Sequence, residues 1–148
     1  MSLIEHKKVR LNYEILEEFE AGMELQGGEV KSLRDGQGKL EGSHIVVRGG
    51  EAYVVGMSIP SYQPKNTPKG YDPERARRLL LTKKELTELG GLEGQKGLTI
   101  VPLRVYNKGR NLKLRIAAVR GLKKHDKRSI LKERDAKRHI ERTLKKEY

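Results

Sequence analysis

The chain contains few side chains whose type and spacing could catalyse a reaction. It has no cysteine, no Gly-x-Ser-x-Gly nucleophile elbow and no recognisable pair of catalytic carboxylates. The segment GGEVKS resembles a phosphate-binding loop, but Val30 occupies the place of the glycine that such a loop needs before Lys-Ser. The histidines lack a metal-binding spacing such as His-Glu-x-x-His: His6, His44, His125 and His139. We therefore expect no enzymatic activity, no bound metal and no cofactor.

The chemistry that the sequence does offer is the binding of a polyanion. The 32 Lys and Arg residues outnumber the 20 Asp and Glu residues, which gives a net charge of +12 and a pI near 9.9. Half of this excess lies between Gly121 and Tyr148, where eleven basic residues face five acidic ones. Nucleic acid is the most common partner for such a charge, and an anionic membrane surface is the alternative.

The basic tail, residues 121–148, carries too little apolar surface to fold alone. On a helical wheel Ile130, Ala136, Ile140 and Leu144 form one narrow stripe. Burying four large aliphatic side chains recovers about 6 to 12 kcal/mol, whereas ordering the backbone costs about 1 to 2 kcal/mol for each residue. We expect the tail to be disordered when free and to order on a polyanion. The absence of Trp and Phe disfavours a membrane-surface helix, and a solvating terminus without a target is the alternative.

Two regions have the patterns of β-hairpins. In HIVVRGGEAYVV, a Gly-Gly pair separates two apolar, β-branched runs and suits a type I′ turn, so we predict that residues 44–48 pair with residues 51–55. Further along, even-numbered apolar residues from Leu112 to Ala118 alternate with Lys113 and Arg115. This period of two predicts a strand with one buried face and one basic face.

Two short helices are predicted between the strands. Thr82 and Glu85 form a capping box that begins one helix, and Gly90-Gly91 is expected to end it. An earlier helix around Val30 and Leu33 would carry Lys31 and Arg34 on its surface and end near Gly36, which suits a C-terminal cap. The proline-rich segment from Ser58 to Pro73 is expected to be a long, functional loop.

The acidic segment near the N-terminus fits two structures. Tyr13, Ile15 and Phe19 alternate as in a strand, whereas Leu16, Phe19 and Met23 have helical spacing. The glutamates favour a helix, because glutamate has a high helix propensity. They are expected to form a solvated acidic face: Glu14, Glu17, Glu18, Glu20 and Glu24.

These signals predict a mainly β domain over residues 1–120, followed by the tail. Five or six short strands with two helices suit a small barrel or a sandwich, and a barrel of the oligonucleotide-binding type commonly presents a nucleic-acid face. No run approaches the roughly 18 apolar residues that span a bilayer, and the N-terminus lacks the apolar core of a secretory signal. We expect a soluble, cytoplasmic protein without a membrane partner.

Several blocks of the sequence resemble one family. From about Val9 to Lys146 the chain is similar to the SsrA-binding proteins, also called small protein B (SmpB), which are partners of transfer-messenger RNA (tmRNA) in trans-translation. The blocks that carry the resemblance are YEILEEFEAG, GGEVKSLR, DPERARRLLL, KGLTIVPLRVY and KKHDKR. The blocks occur in the same order as in the family, which makes the resemblance much more specific than a single short motif.

The resemblance implies a fold and a mode of action. The fold would be a six-stranded antiparallel barrel with an oligonucleotide-binding-fold core, short flanking helices and a basic C-terminal tail, and Tyr13 to Phe19 would be its first strand. The protein would be a monomer that binds the tRNA-like domain of tmRNA and delivers it to stalled ribosomes for rescue and peptide tagging. Elongation factor Tu would take part indirectly, through the charged RNA. The tail would become helical in the empty mRNA channel.

The resemblance also carries roles onto individual residues. The positions that match tmRNA binding are Arg10, Tyr13, Glu20, Lys31, Arg34 and Leu80. Those that match the decoding centre and the mRNA channel are Lys123, Lys124, His125, Asp126, Lys127, Arg128, Lys132, Arg134, Lys137 and Arg138. Glu20 is expected to accept hydrogen bonds from base or ribose donors or to orient neighbouring cations, and His125 to stack on an unpaired ribosomal base. The chain departs from the family pattern at His6, Leu11, His44 and Leu122.

A generic barrel that binds single-stranded or ribosomal RNA is the alternative function. Such proteins use aromatic side chains as stacking platforms for successive bases. One Phe and six Tyr in the whole chain make these platforms sparse, which disfavours this alternative.

Overall fold

The computed structural model describes residues 2–63 and 69–122. Its elements, in chain order, are β1 (Ser2–Glu5), α1 (Val9–Asn12), β2 (Tyr13–Met23), α2 (Gly27–Arg34), β3 (His44–Arg48), β4 (Glu51–Val55), β5 (Arg77–Leu80), α3 (Lys83–Glu93), β6 (Leu98–Lys108) and β7 (Asn111–Gly121).

All seven strands belong to one antiparallel sheet in the order β1-β6-β7-β2-β5-β4-β3. The predicted mainly β fold with antiparallel strands and short helices is therefore confirmed. The sheet has seven strands rather than six, because β1 adds an edge strand that no sequence signal indicated. The sheet curls far enough for β3 to approach β6, but among the described residues no backbone ladder joins the two edge strands to close a barrel.

The first predicted hairpin is confirmed in full. His44 pairs with Val55 and Arg48 with Glu51, which leaves Gly49 and Gly50 as the two turn residues. Their φ angles of 60° and 76° are the positive values that a type I′ turn requires. In the β6–β7 hairpin, Lys108 likewise pairs with Asn111 across a two-residue turn.

The acidic segment is strand β2, so the helix favoured by its glutamates is wrong and the strand implied by the resemblance is correct, although it is the second strand and not the first because β1 precedes it. Phe19, Ala21 and Met23 point into the core, and the strand pairs with β7 along most of its length. The expectation of a simple solvated acidic face holds only in part. Glu14 lies opposite Arg120 and forms an ion pair with it, because the pairing register brings the acidic strand beside a basic one.

The two predicted helices are present. Thr82 and Glu85 form the expected capping box at the start of α3, with Thr82 N–H to Glu85 Oε1 at 3.0 Å and Glu85 N–H to Thr82 Oγ1 at 3.2 Å. The helix does not stop at Gly90-Gly91 but continues to Glu93, because fully buried Leu89 packs this part of the helix against the core. Helix α2 ends before Gly36, whose φ of 74° confirms the predicted cap.

The sheet buries apolar side chains on both faces. The main core includes Leu114 and Ile116 of β7 together with side chains from α2, α3 and the other strands. A smaller cluster on the opposite face contains Ala117 and Val119 of β7 and Val9 of α1, a helix that the sequence pattern did not predict. Within residues 2–63 and 69–122, no helix has the length and apolar character needed to cross a membrane.

Candidate RNA interface

Two rows of side chains cross the sheet on the face turned away from the main core, which we call the outer face. The first row follows the pairings Leu80–Gly22, Gly22–Lys113 and Lys113–Tyr106. The second row follows Glu20–Arg115 and Arg115–Arg104. The outer face therefore comprises Leu80, Gly22, Lys113, Tyr106, Glu20, Arg115 and Arg104, with Lys108 and Arg110 at the adjoining hairpin.

Glu20 lies at the β2 end of the second row and is held by two neighbours, while at the other end of that row Glu5 of β1 lies opposite Arg104. Lys108 Nζ donates to Glu20 Oε1 at 2.8 Å, and the Tyr106 hydroxyl donates to Glu20 Oε2. These two hydrogen bonds lower the pKa of Glu20, with Lys108 contributing most, so the carboxylate is ionised at neutral pH. Glu20 is thus paired with one cation of the outer face, Lys108, and its expected role towards RNA stays a prediction.

Tyr106 joins this group to the basic row. The Arg104 guanidinium lies over the Tyr106 ring, 4.9 Å from its centroid. Burial and the hydrogen bond to Glu20 raise the pKa of Tyr106, so its hydroxyl stays protonated and continues to donate. The arrangement fixes one aromatic ring, one carboxylate and several cations on a single strand-built surface, which suits contacts to both phosphates and bases.

Leu80 and Arg34 line one cleft beside the first row, although they are far apart in sequence. The cleft has a volume of about 350 Å³ and lies between α2, β2, β5 and the β6–β7 hairpin. Leu80 is 48% exposed despite its apolar side chain. Arg34 Nη2 donates to the carbonyl oxygen of Arg110 at 2.8 Å, which ties the end of α2 to the hairpin. Lys113 lies in the same cleft.

Lys31 lies one turn before Arg34 on α2 but has a different neighbour. Its Nζ lies 5.9 Å from the centroid of the Tyr62 ring, within the range of a cation–π contact. Lys31 does not line the cleft that holds Arg34 and Leu80. The two cations of α2 thus serve two neighbouring patches of the surface.

Arg10 lines a second cleft at the other end of the outer face. This cleft has a volume of about 520 Å³ and includes Arg104 and Arg115 from the second row. Four Lys and Arg side chains line it against two glutamates. Tyr13 is not among its lining residues, because the ring packs against the smaller apolar cluster below α1. His6 Nδ1 lies 3.2 Å from the carbonyl oxygen of Pro102 at the edge of this region.

A buried charge network holds α2 in place, and sequence reasoning missed it. Glu29 of α2 accepts hydrogen bonds from Arg75 and from Arg77 Nε, the latter at 2.7 Å. The Tyr71 hydroxyl lies 3.3 Å from Glu29 Oε2 and donates to the carbonyl oxygen of Ile59 at 2.7 Å. Burial raises the pKa of Glu29, but hydrogen bonds from Arg75, a backbone N–H and Arg77 outweigh this and hold it below its ordinary value.

The structure brings together only some of the body residues that the sequence singled out. Arg34 and Leu80 share a cleft, and Glu20 lies in the neighbouring row. Lys31 lies on a separate patch, Arg10 lines the cleft at the far end, and Tyr13 packs against the smaller apolar cluster. The predicted basic face of a strand with Lys113 and Arg115 is confirmed, because both lie on β7 in these two rows. Sequence reasoning missed Arg104, Tyr106 and Lys108, which β6 brings beside them.

The tail residues assigned to the ribosome lie outside the described residues: Lys123, Lys124, His125, Asp126, Lys127, Arg128, Lys132, Arg134, Lys137 and Arg138. Across the described part of the chain, no three His, Asp or Glu side chains gather in a way that could hold a metal ion.

Comparisons with known proteins agree on one family. The family model described as "SmpB protein" matches residues 3–146. An SsrA-binding protein from Sulfurihydrogenibium sp. (strain YO3AOP1) is 47% identical over 140 residues, covering 95% of this chain and 91% of the relative. An SsrA-binding protein from Magnetococcus marinus is 46% identical over 143 residues, covering 97% and 95%.

A solved structure is also similar in fold. The matching chain, described as "tmRNA-SmpB: a journey to the center of the bacterial ribosome", has a TM-score of 0.68 and 44% sequence identity, covering 81% of this chain and 84% of its own length. Sequence and fold thus point to the same relatives over nearly the whole chain. This chain belongs to the SmpB protein family, the family of the SsrA-binding proteins.

Proposed function

We propose that this protein binds the tRNA-like domain of tmRNA and delivers it to stalled ribosomes for trans-translation. Family membership supports both partners, because the relatives are named for SsrA binding and the similar solved chain belongs to a tmRNA–SmpB structure on the ribosome. In this role the protein is a binding and delivery factor rather than an enzyme, and it acts in the cytoplasm, where ribosomes translate.

The outer face is the observation that carries the proposal. It combines cations for phosphates, an ionised carboxylate for ribose or base donors, and an exposed apolar side chain, and regular strand pairing fixes them all in place. Glu20, Arg34 and Leu80, which resemble RNA-binding positions of the family, lie on or beside it. A folded RNA presents these chemical groups on a rigid surface, which a preorganised sheet can match.

The tail completes the proposed role. We infer that residues 123–148 order in the empty mRNA channel and at the decoding centre, because their net charge of +6 favours a polyanion and their apolar stripe is narrow. The predicted tail boundary at residue 121 shifts by two residues, since Gly121 ends β7 and Leu122 N–H donates to the Asn12 carbonyl oxygen. In this proposal the body binds the tRNA-like RNA, and the tail binds in the mRNA channel only when that channel contains no mRNA. Elongation factor Tu takes part through the charged RNA.

A competition gel shift at physiological salt tests the proposal. Labelled tRNA-like domain is bound to the protein and displaced with either the same RNA or an unstructured RNA of equal length. Both competitors carry the same number of phosphates, so the number of charges is the same for the two RNAs. We expect the folded RNA to compete at least tenfold better, roughly the discrimination of 1.4 kcal/mol. Equal competition would contradict the proposal and favour a generic RNA-binding barrel.

A further inference from the structure

Tyr62 is an exposed aromatic side chain with no role in the surface described so far. It is 40% exposed, and among the described residues the other large apolar side chains exposed to this degree are Leu16 and Leu80. Lys31 Nζ lies 5.9 Å from the centroid of the Tyr62 ring. Within the described residues, no carboxylate forms an ion pair with Lys31.

The chain leading to Tyr62 is fixed to the body. Ser32 of α2 donates its hydroxyl to the carbonyl oxygen of Pro60 at 2.7 Å. Ile59 is fully buried, and its N–H donates to the carbonyl oxygen of Pro73 at 2.9 Å. Tyr71 donates to the carbonyl oxygen of Ile59 and links this segment to the Glu29 network. Tyr62 therefore lies only two residues after Pro60, the residue that is hydrogen-bonded to the helix carrying Lys31.

The pair repeats the pattern of the neighbouring cleft. Helix α2 places Arg34 beside exposed Leu80 and, one turn earlier, Lys31 beside exposed Tyr62. Each site contains a cation that can contact a phosphate and an apolar group that can pack against a base. The aromatic ring adds a flat surface for stacking, which the leucine cannot provide.

We propose that Tyr62 stacks on an unpaired base of the bound RNA while Lys31 contacts the phosphate next to that base. This inference rests on the proposed function, because it extends the RNA interface from the outer face across α2. The unpaired base belongs to a loop of the folded RNA, since a paired base offers its faces only to its neighbours in the stack. The anchored segment lowers the entropic cost of binding by holding the ring in place beforehand.

Substitutions of Tyr62 separate stacking from simple apolar burial. Affinity for a transcribed tRNA-like domain of tmRNA is measured for Tyr62→Phe, Tyr62→Leu and the wild type. Stacking needs the ring and not the hydroxyl, so Tyr62→Phe keeps the wild-type Kd within about twofold and Tyr62→Leu raises it roughly fivefold or more. The matched control Leu16→Ala, at a comparably exposed apolar residue that lines neither of the two clefts, leaves the Kd unchanged.

The absence of tryptophan from the chain permits a direct optical test. Tyr62→Trp introduces a single indole, whose emission is quenched when a base stacks on it. We expect this variant to bind the RNA and to lose emission along the same saturation curve that anisotropy of labelled RNA gives. The control Leu16→Trp keeps its emission at saturating RNA, because its indole lies away from the proposed contact.

The outcomes distinguish this inference from the proposed function. Equal affinities for Tyr62→Leu and Tyr62→Phe, or unchanged Tyr62→Trp emission at saturating RNA, would overturn the stacking role while the preference for folded RNA stands. If the wild type shows no preference for the tRNA-like domain over unstructured RNA, the proposed function fails, and the stacking role fails with it.

Discussion

Glu29 and Arg77 form an ion pair that is shielded from solvent, with Glu29 Oε2 and Arg77 Nη2 2.6 Å apart and side-chain exposures of 1% and 0%. The guanidinium also donates to the carbonyl oxygens of Met57, Pro73 and Arg75. One buried charge thus connects α2, β5 and both ends of the long loop. The connection fixes the position of α2, and with it Lys31 and Arg34, the two cations that we propose contact RNA.

Neutralising Glu29 should destabilise the fold. Glu29→Gln keeps the size of the side chain but leaves the Arg77 guanidinium buried without its counter-charge, and removing one partner of a buried pair costs about 3 to 5 kcal/mol. We expect the free energy of unfolding to fall by about 3 kcal/mol. Urea denaturation followed by circular dichroism measures this change.

An exposed ion pair provides the control for this substitution. Glu24 pairs with Arg78 at 2.7 Å, but their side chains are 61% and 42% exposed. Solvent screens such a pair, so Glu24→Gln should change the free energy of unfolding by at most about 1 kcal/mol. Equal losses in the two variants would show that burial of the Glu29 pair adds nothing to stability.

The same network predicts how stability depends on pH. The pKa of Glu29 is lowered in the folded protein from its ordinary value of 4.5, so the folded state binds a proton less readily than the unfolded chain. The stabilisation is therefore complete above pH 4.5 and is lost as the pH falls through the folded pKa. Glu29→Gln should therefore lose less stability than the wild type as the pH is lowered below 4.5, whereas above pH 4.5 the two proteins should keep a constant difference from this group. Parallel acid losses in both proteins would contradict this assignment.

Local signals in the sequence predicted local structure correctly. Gly49 and Gly50 fix a turn whose φ angles few other residues adopt, and Thr82 with Glu85 satisfies the start of a helix within four residues. Both signals depend mainly on neighbours along the chain, whereas the predicted stop at Gly90-Gly91 was overridden by the packing of Leu89 against the core. Gly36 is a third local signal of this kind, because its positive φ ends helix α2.

Features of the structure that depend on residues far apart in the chain could not be predicted from the local sequence pattern. A bulge between Ile15 and Glu17 shifts the register of β2, so Ile15 packs on the smaller cluster while Phe19 points into the main core. A regular strand would have put both on one face, which is why the alternation was ambiguous. Glu29 likewise finds Arg75 and Arg77 46 and 48 residues away, a separation that no local motif announces.

Lys113 should contribute one phosphate contact on the outer face. Lys113→Ala removes a cation between Gly22 and Tyr106, so the slope of log K against log salt for the tRNA-like RNA should decrease in magnitude by about 1. Filter binding over a series of KCl concentrations gives this slope. Arg48→Ala is the matched control, because Arg48 pairs with Glu93 and lies on β3, outside the outer face. A slope that changes equally in both variants would mean that general charge, not the outer face, binds the RNA.

Leu80 should matter for RNA binding but not for folding. Its side chain is 48% exposed in the free protein, so Leu80→Ala should change the free energy of unfolding by less than about 0.5 kcal/mol. If RNA covers the cleft, the lost apolar contact should raise the Kd roughly tenfold. Calorimetry with the tRNA-like RNA measures the affinity, and Leu16→Ala, at 45% exposure, is the control. An unchanged Kd for Leu80→Ala would exclude the cleft from the interface.

The body and the tail should be separable in function. Removing residues 123–148 leaves strand β7 and the hydrogen bond from Leu122 N–H to the carbonyl oxygen of Asn12 intact, at 2.9 Å. We expect the truncated protein to unfold at the wild-type urea concentration and to bind the tRNA-like RNA within a few-fold of the wild-type Kd at physiological salt.

Peptide tagging in a translation assay with an mRNA that lacks a stop codon should be abolished, because the tail would no longer reach the mRNA channel. A full-length variant with the order of residues 123–148 scrambled keeps the charge and tests whether charge alone restores tagging. A collapse of RNA affinity on truncation would show that the tail, and not the outer face, holds the RNA.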